Sequence, residues 1–278
     1  MKINIDGEYH QLSLDYFADQ VDNEIQNQLV SELITRYADV SRQLEDKNEQ
    51  LKIYADHLEE LVEEKVREIS ASQIATIHAL VKAAESRDDD TGTHIERTSL
   101  FCRLIAEELR AAGLHADIID EVYATNISKA SPLHDIGKVG IKDSILLKPG
   151  RLTPDEFEIM KTHVVLGHGT LASTQKMYPG NVFLKFGLEI ARYHHEKWDG
   201  SGYMLGLAGD EIPLSARIMA LSDVYDALRS KRVYKDAFSH EKTLAIIAEG
   251  RGGHFDPDVT DIFLERHLQF KEIFDSLV

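Results

Sequence analysis

Between Val21 and Glu85 the chain contains neither proline nor glycine, and charged residues are dense throughout. A stretch of that length without a helix breaker folds as one long helix or as two placed end to end. Tyr37, Val40, Leu44, Leu51, Tyr54, Leu58 and Leu61 recur in alternating threes and fours, with Lys47 the one polar residue in the series. That period is the seam of a coiled coil. After Leu61 the apolar frame moves to Val62, Val66, Ile69, Ile77 and Leu80, as a four-residue stutter produces, and the left-handed supercoil relaxes there. Alone, such a helix would leave its stripe in water, so the pattern predicts a parallel homodimer over an amphipathic helix packed on its own domain.

The flanking segments differ in character. Residues Lys2 to Leu12 alternate Ile3, Ile5 and Tyr9 around Asp6-Gly7, which predicts a short β-hairpin. Beyond Arg87, Gly and Pro separate shorter periodic segments, predicting helices over 94–112, 116–130, 154–162, 167–177, 183–194, 215–230, 240–249 and 257–278. Thr153 before Pro154 reads as an N-cap with proline at the first helical position, and Pro257-Asp258 opens another helix likewise. The expected fold class is all-α: a hairpin over 1–20, a coiled-coil signalling and dimerisation helix over 21–86, and a helical bundle over 87–278.

The 48 acidic against 31 basic residues give a formal charge of −17, which argues against binding DNA, RNA or an anionic membrane non-specifically. A phosphate-bearing ligand must then be attracted locally. The single Cys102 excludes an intrachain disulfide or a thiolate metal cluster. No apolar run approaches the roughly 20 residues of a membrane span, and residues 1–6 lack the apolar core of a signal peptide, so a cytoplasmic location is expected.

Five ligand-competent positions punctuate the helical region: His94, His134-Asp135, His163, His194-His195-Glu196 and Asp223. Singly, each is an ordinary surface or capping group. Together, the ends of a bundle's helices are able to bring them to one pocket. Imidazole and carboxylate without sulfur suit manganese, iron or zinc. Asp135, with two oxygens, is the natural bridge between two ions, and Lys138 places an ammonium on the same side of its turn.

The runs Thr91-Gly92-Thr93-His94, Leu133-His134-Asp135-Ile136-Gly137-Lys138, Met160-Lys161-Thr162-His163 and His194-His195-Glu196-Lys197-Trp198-Asp199-Gly200-Ser201-Gly202-Tyr203 resemble the HD-GYP family, a group of the HD phosphohydrolases. The likeness continues through Ile212-Pro213-Leu214-Ser215-Ala216-Arg217-Ile218, Asp223-Val224-Tyr225-Asp226-Ala227-Leu228 and His254-Phe255-Asp256-Pro257. The resemblance implies metal-dependent hydrolysis of cyclic di-GMP, to the linear dinucleotide or to GMP, with hydrolysis of cyclic GMP-AMP as an alternative. It assigns His94, His134, Asp135 and Asp223 mostly to one ion, and Asp135 with His163, His194 and His195 to another, iron or manganese being expected. Lys138 would contact the scissile phosphate, Asp226 would orient or deprotonate the attacking water, and Arg232 and Lys235 would hold phosphate and guanine. Asp90 resembles a position where some members carry a glutamate that admits a third ion, but it is one methylene shorter and sits in an acidic helix start with Asp88 and Asp89.

The chain has Gly202-Tyr203-Met204 where the family has Gly-Tyr-Pro, which restores a backbone donor and frees φ. Tyr203 is expected to stack on substrate, to meet a signalling partner at its loop, or to plug the surface. Glu196 and Arg217 are each expected either to support the ligands or to be structural, Glu196 being close enough in sequence to back a metal-bound histidine, and 254–257 to form a turn and helix start. Two other classes of function stand beside the enzyme: a cyclic dinucleotide receptor signalling through the coiled coil, and an interaction scaffold. The full ligand set argues against the receptor.

Overall fold

The computed structural model describes residues 8–85, 93–231 and 236–277. The chain divides into two compact units, Met1–Ala71 and Ser72–Val278. Helix α1, Glu8–Glu85, runs from the first into the second. In the first unit it carries local ion pairs such as Arg42–Asp39 and Arg67–Glu63. Its apolar residues Tyr37, Val40, Leu44, Leu51, Tyr54 and Leu58 are all exposed. The expected hairpin turn Asp6-Gly7 lies outside the described residues, but its returning strand is corrected: Glu8 to Leu12 form the opening turns of α1. Two strands bury too little to compete with a helix that continues unbroken.

In the second unit α2 (His94–Ala111), α3 (Glu121–Ala130), α4 (Asp143–Leu146), α5 (Pro154–Lys161), α6 (His163–Met177) and α7 (Val182–Tyr193) precede the loop that runs to residue 213. Helices α8 (Leu214–Arg229), α9 (His240–Glu249), α10 (Pro257–Glu265) and α11 (His267–Ser276) follow it. Among the described residues the only β interaction is a single bridge between Arg251 and Phe255. No helix among them is long and apolar enough to cross a membrane.

Caps explain several boundaries. Thr153 and Glu156 form a reciprocal capping box at α5. Asp256 accepts from the backbone N–H groups of Asp258 and Val259 at α10. Asp120 caps α3, which is why that helix starts at Glu121 and not near Ala116. The expected last helix is two, broken at Arg266, whose guanidinium reaches back to Glu108 at 2.8 Å.

The core is organised by α2, which buries Ile95, Thr98, Phe101, Cys102, Ile105 and Leu109 along one face. Phe101 stacks on Phe270 and meets Tyr225 edge-on, both at 5.1 Å between centroids, within a cluster that includes Ile127, Ile190, Met219 and Phe263. The Cys102 thiol lies in this core, where burial pushes its pKa up to about 12 and leaves it unreactive. A second cluster joins Val81 from the end of α1 to Ile95, Leu133, Leu171, Leu184 and Ala191. The end of α1 thus belongs to the bundle, and the division falls before Ser72 instead of near residue 86.

Candidate metal centre

His134 and Asp135 lie between two 3-10 turns, Ser131–Leu133 and Ile136–Gly140. Three residues per turn set Lys138 directly over Asp135, with Nζ 2.8 Å from Oδ2. Gly137 makes the turn's position attainable: a Cβ there would lie 1.9 Å from the carbonyl oxygen of His163 and 2.5 Å from the amide of Gly167. The His-Asp turn therefore rests directly on the start of α6, where His163 stands.

Two ligand clusters result. In one, Asp135, His163, His194 and His195 each offer a donor atom, all within 4.8 Å of one another; in the other, His94, His134 and Asp223 do the same. Asp135 reaches toward both, since Oδ1 is 3.1 Å from His163 Nε2 and 3.8 Å from His194 Nε2, while Oδ2 is 3.4 Å from His134 Nε2.

The hydrogen bonds fix which ring nitrogens face inward. His134 Nδ1 donates to the Ser131 carbonyl at 2.9 Å, His163 Nδ1 to Met160 at 2.7 Å and His194 Nδ1 to Ile190 at 2.9 Å. A carbonyl only accepts, so each Nδ1 carries the proton and each Nε2 presents a lone pair. His94 Nδ1 lies 2.8 Å from Asp226 Oδ2, and its Nε2 faces that of His134 at 3.3 Å. Oδ1 of Asp135 and Nε2 of His163 and of His194 are buried without a hydrogen-bond partner. Buried acceptors converging on one another are unfavourable unless a cation lies among them, so the donor set fits divalent metal ions.

Electrostatics agree. Burial pushes the His194 pKa well below its ordinary value, helped by His195, and brings that of His195 down to about 4. Both rings are neutral at neutral pH, as ligation requires. Burial works to raise the Asp135 pKa, but the Lys138 ammonium and His134 outweigh it and hold the carboxyl well below the usual range. Burial opposes ionisation of Asp226 too, and Arg97 and His94 overcome it.

Two expectations need revision. Asp226 is not at a water-facing position: it is buried behind His94, with its carboxylate occupied by Arg97 and by His94 Nδ1. Glu196 does not back a histidine: its carboxylate accepts from the backbone N–H groups of Met204 at 3.0 Å, Leu205 at 2.7 Å and Gly206 at 3.1 Å. Arg97 was not anticipated, although His94-x-x-Arg97 puts both on one helix face and a cation on an otherwise apolar stripe signals a buried partner. Arg217 is structural, paired with Asp256 at 2.6 Å and Asp210 at 3.0 Å. Asp90, Arg232 and Lys235 lie outside the described residues.

Met204 supplies one of the three donors to Glu196. Tyr203 stacks on His195 at 4.7 Å, with Phe157 edge-on at 6.1 Å. Glu196→Ala would remove the acceptor of all three amides, and the protein is expected to lose roughly 1–3 kcal/mol in urea unfolding, since a hydrogen bond to a charged group contributes about 1.5–3 kcal/mol and water can take over the amides of these exposed residues in part. Amides 204–206 should exchange with deuterium faster in that variant; unchanged exchange would remove the staple role.

Comparison with known proteins places this geometry. Residues 40–259 match the HD domain. A "Probable cyclic di-GMP phosphodiesterase" of Vibrio cholerae is 49% identical over 219 residues, covering 78% of this chain and 50% of the relative. The "Cyclic di-GMP phosphodiesterase response regulator RpfG" of Xanthomonas campestris is 40% identical over 231 residues, 83% of this chain and 58% of the relative. A "3'3'-cGAMP-specific phosphodiesterase 2" of Vibrio cholerae is 41% identical over 201 residues, 72% of this chain and 36% of the relative. The chain spans about half the length of the curated relatives it matches. With the matched span enclosing both ligand clusters, the chain belongs to the HD domain family.

Proposed function

We propose that the bundle hydrolyses a cyclic dinucleotide, cyclic di-GMP in the first place, with two divalent ions of iron or manganese. The observation that carries this reading is the pair of adjoining nitrogen–oxygen clusters with Asp135 in reach of both. The names of the similar proteins supply the substrate class. Divalent ions bound there would supply an acidified water and hold the non-bridging oxygens of a phosphodiester. His94, His134 and Asp223 would hold one, His163, His194 and His195 the other, and Asp135 would serve both. Lys138, a quarter exposed at the rim, supplies a cation to the substrate phosphate, and Asp135 holds it in place meanwhile. Tyr203 and Phe157 offer ring faces beside His195.

Cyclic GMP-AMP is the second substrate to weigh, because some similar proteins carry that name. Incubating the protein with manganese and each dinucleotide, and resolving the products by chromatography, should show faster loss of cyclic di-GMP. Tight binding of either without turnover would make the protein a receptor and contradict the reading.

Arg232 and Lys235, proposed on the resemblance, would grip the ligand. Charge-assisted contacts contribute roughly 1.5–3 kcal/mol each, so replacing both by alanine should raise the dissociation constant about tenfold or more without releasing metal. An unchanged constant returns them to the solvated surface. Asp90 would lie too short for a third ion, leaving two.

The exposed seam on α1 supports a parallel homodimer through residues 21–71, with a second copy covering Tyr37, Val40, Leu44, Leu51 and Leu58. Sedimentation at micromolar concentration is expected to give a dimer; a monomer would exclude it. Since Tyr203 turns inward, a signalling protein docking at its loop would meet the exposed Met204 and Leu205.

A further inference from the structure

The ligand histidines are not backed alike. His134, His163 and His194 each rest Nδ1 on a backbone carbonyl three or four residues earlier in their own turn. His94 instead rests on a carboxylate from a different helix, Asp226 of α8. That carboxylate is itself gripped by Arg97, whose Nε is 2.5 Å from Oδ1 and whose Nη2 is 2.9 Å from Oδ2. Two further donors of Arg97 are also committed: Nη1 to Thr93 Oγ1, on the residue before His94, and Nη2 to Ser230 Oγ at 3.1 Å. The Phe274 ring lies 4.7 Å from its guanidinium carbon, and the side chain is almost wholly buried.

We propose that Arg97 is a positioning residue for the ion site of His94, His134 and Asp223, acting through Asp226. The guanidinium fork fixes the plane of the carboxylate, so that Oδ2 meets His94 Nδ1–H and the ring is locked with Nε2 toward the ion. A carboxylate polarises an imidazole more than a carbonyl does, and a guanidinium bound to that carboxylate moderates the effect. The two ion sites are therefore unequal in their supports: His163 and His194 rest on local backbone, whereas the other site has only His134 so supported and depends through His94 on a charged relay crossing from α2 to α8. Lysine is no equivalent, because a point charge does not hold a carboxylate by both oxygens.

This inference rests on the two-ion reading above, and Mn2+ alone is the probe. Calorimetric titration of chelated, full-length protein is expected to show two binding events, of which Asp223→Ala removes one. Arg97→Gln should weaken that same event by about 10- to 100-fold, the usual cost of an outer partner, and leave the other at its wild-type affinity. Arg97→Lys should fall between, which covers the case in which Arg97→Gln fails to fold around an unpaired Asp226 charge. Because Arg97 acts through Asp226, the double variant Arg97→Gln/Asp226→Asn should match Asp226→Asn alone. Wild-type affinity at both events in Arg97→Gln or Arg97→Lys, equal weakening of both events, or additive losses in the double variant would overturn the proposal. Fewer than two events in the wild type would instead overturn the two-ion reading, and this proposal with it.

Discussion

Asp135→Ala is expected to abolish hydrolysis, lowering turnover by about 10³-fold or more, because the several kcal/mol of transition-state stabilisation that metal ions supply would be lost from both sites together. The expectation follows from where the two oxygens sit. Oδ1 faces His163 and His194, and Oδ2 faces His134. On the proposed two-ion reading, removing the side chain would take one donor from each ion at once. It also strips Lys138 of the carboxylate that holds it at 2.8 Å. The fold should survive, since Asp135 makes no side-chain cap hydrogen bond, but losing its ion pair with Lys138 should lower stability in chelator by roughly 1–3 kcal/mol. Product chromatography with metal analysis on the same sample checks both halves. Wild-type turnover in this variant would remove Asp135 from the mechanism.

Removing the metal is expected to cost the bundle much of its stability. Ions that bind only the folded chain stabilise it by about 4 kcal/mol each at a thousand times the dissociation constant. In a domain of about 200 residues each kcal/mol shifts the melting temperature by roughly 2–4 °C, so chelation should lower it by about 10 °C or more. The physical origin is the set of inward-facing acceptors on Asp135, His163 and His194, which have no hydrogen-bond partner to replace a cation. Trp198, the single tryptophan, sits three residues beyond His195 in the loop held by Gly253 and His254, and reports on this region by fluorescence. Equal melting of chelated and manganese-loaded protein would show that the clusters do not bind ions.

The helices were legible where propensity, spacing and caps agreed. The run without Pro or Gly became α1, and Thr153-Pro154 and Asp256-Pro257 began helices at those residues. The hairpin expectation failed at its second arm because two short alternations around a turn residue carry no information on whether a following helix extends backward through them. The break at Arg266 was hidden since periodicity continues across it and the partner, Glu108, is distant in sequence. Site residues that attract attention by type were found readily. Roles that depend on where a second group points were not: Glu196 beside His195 and Asp226 shortly after Asp223 are both carboxylates near presumed ligands in sequence, yet one holds a loop by three amides and the other holds His94. Arg97 is harder to assign because its place on the apolar face of its helix signals a buried partner without telling which carboxylate it is, and Asp226 arrives from another helix.

The central claim is that two ions share one carboxylate between two sets of histidines. Diffraction from crystals of protein loaded anaerobically with manganese, collected at the metal's absorption edge, tests it most directly. Two anomalous peaks are expected, one among His94, His134 and Asp223 and the other among His163, His194 and His195, with Asp135 touching both. A single peak at full occupancy in protein that still hydrolyses cyclic di-GMP would contradict the account.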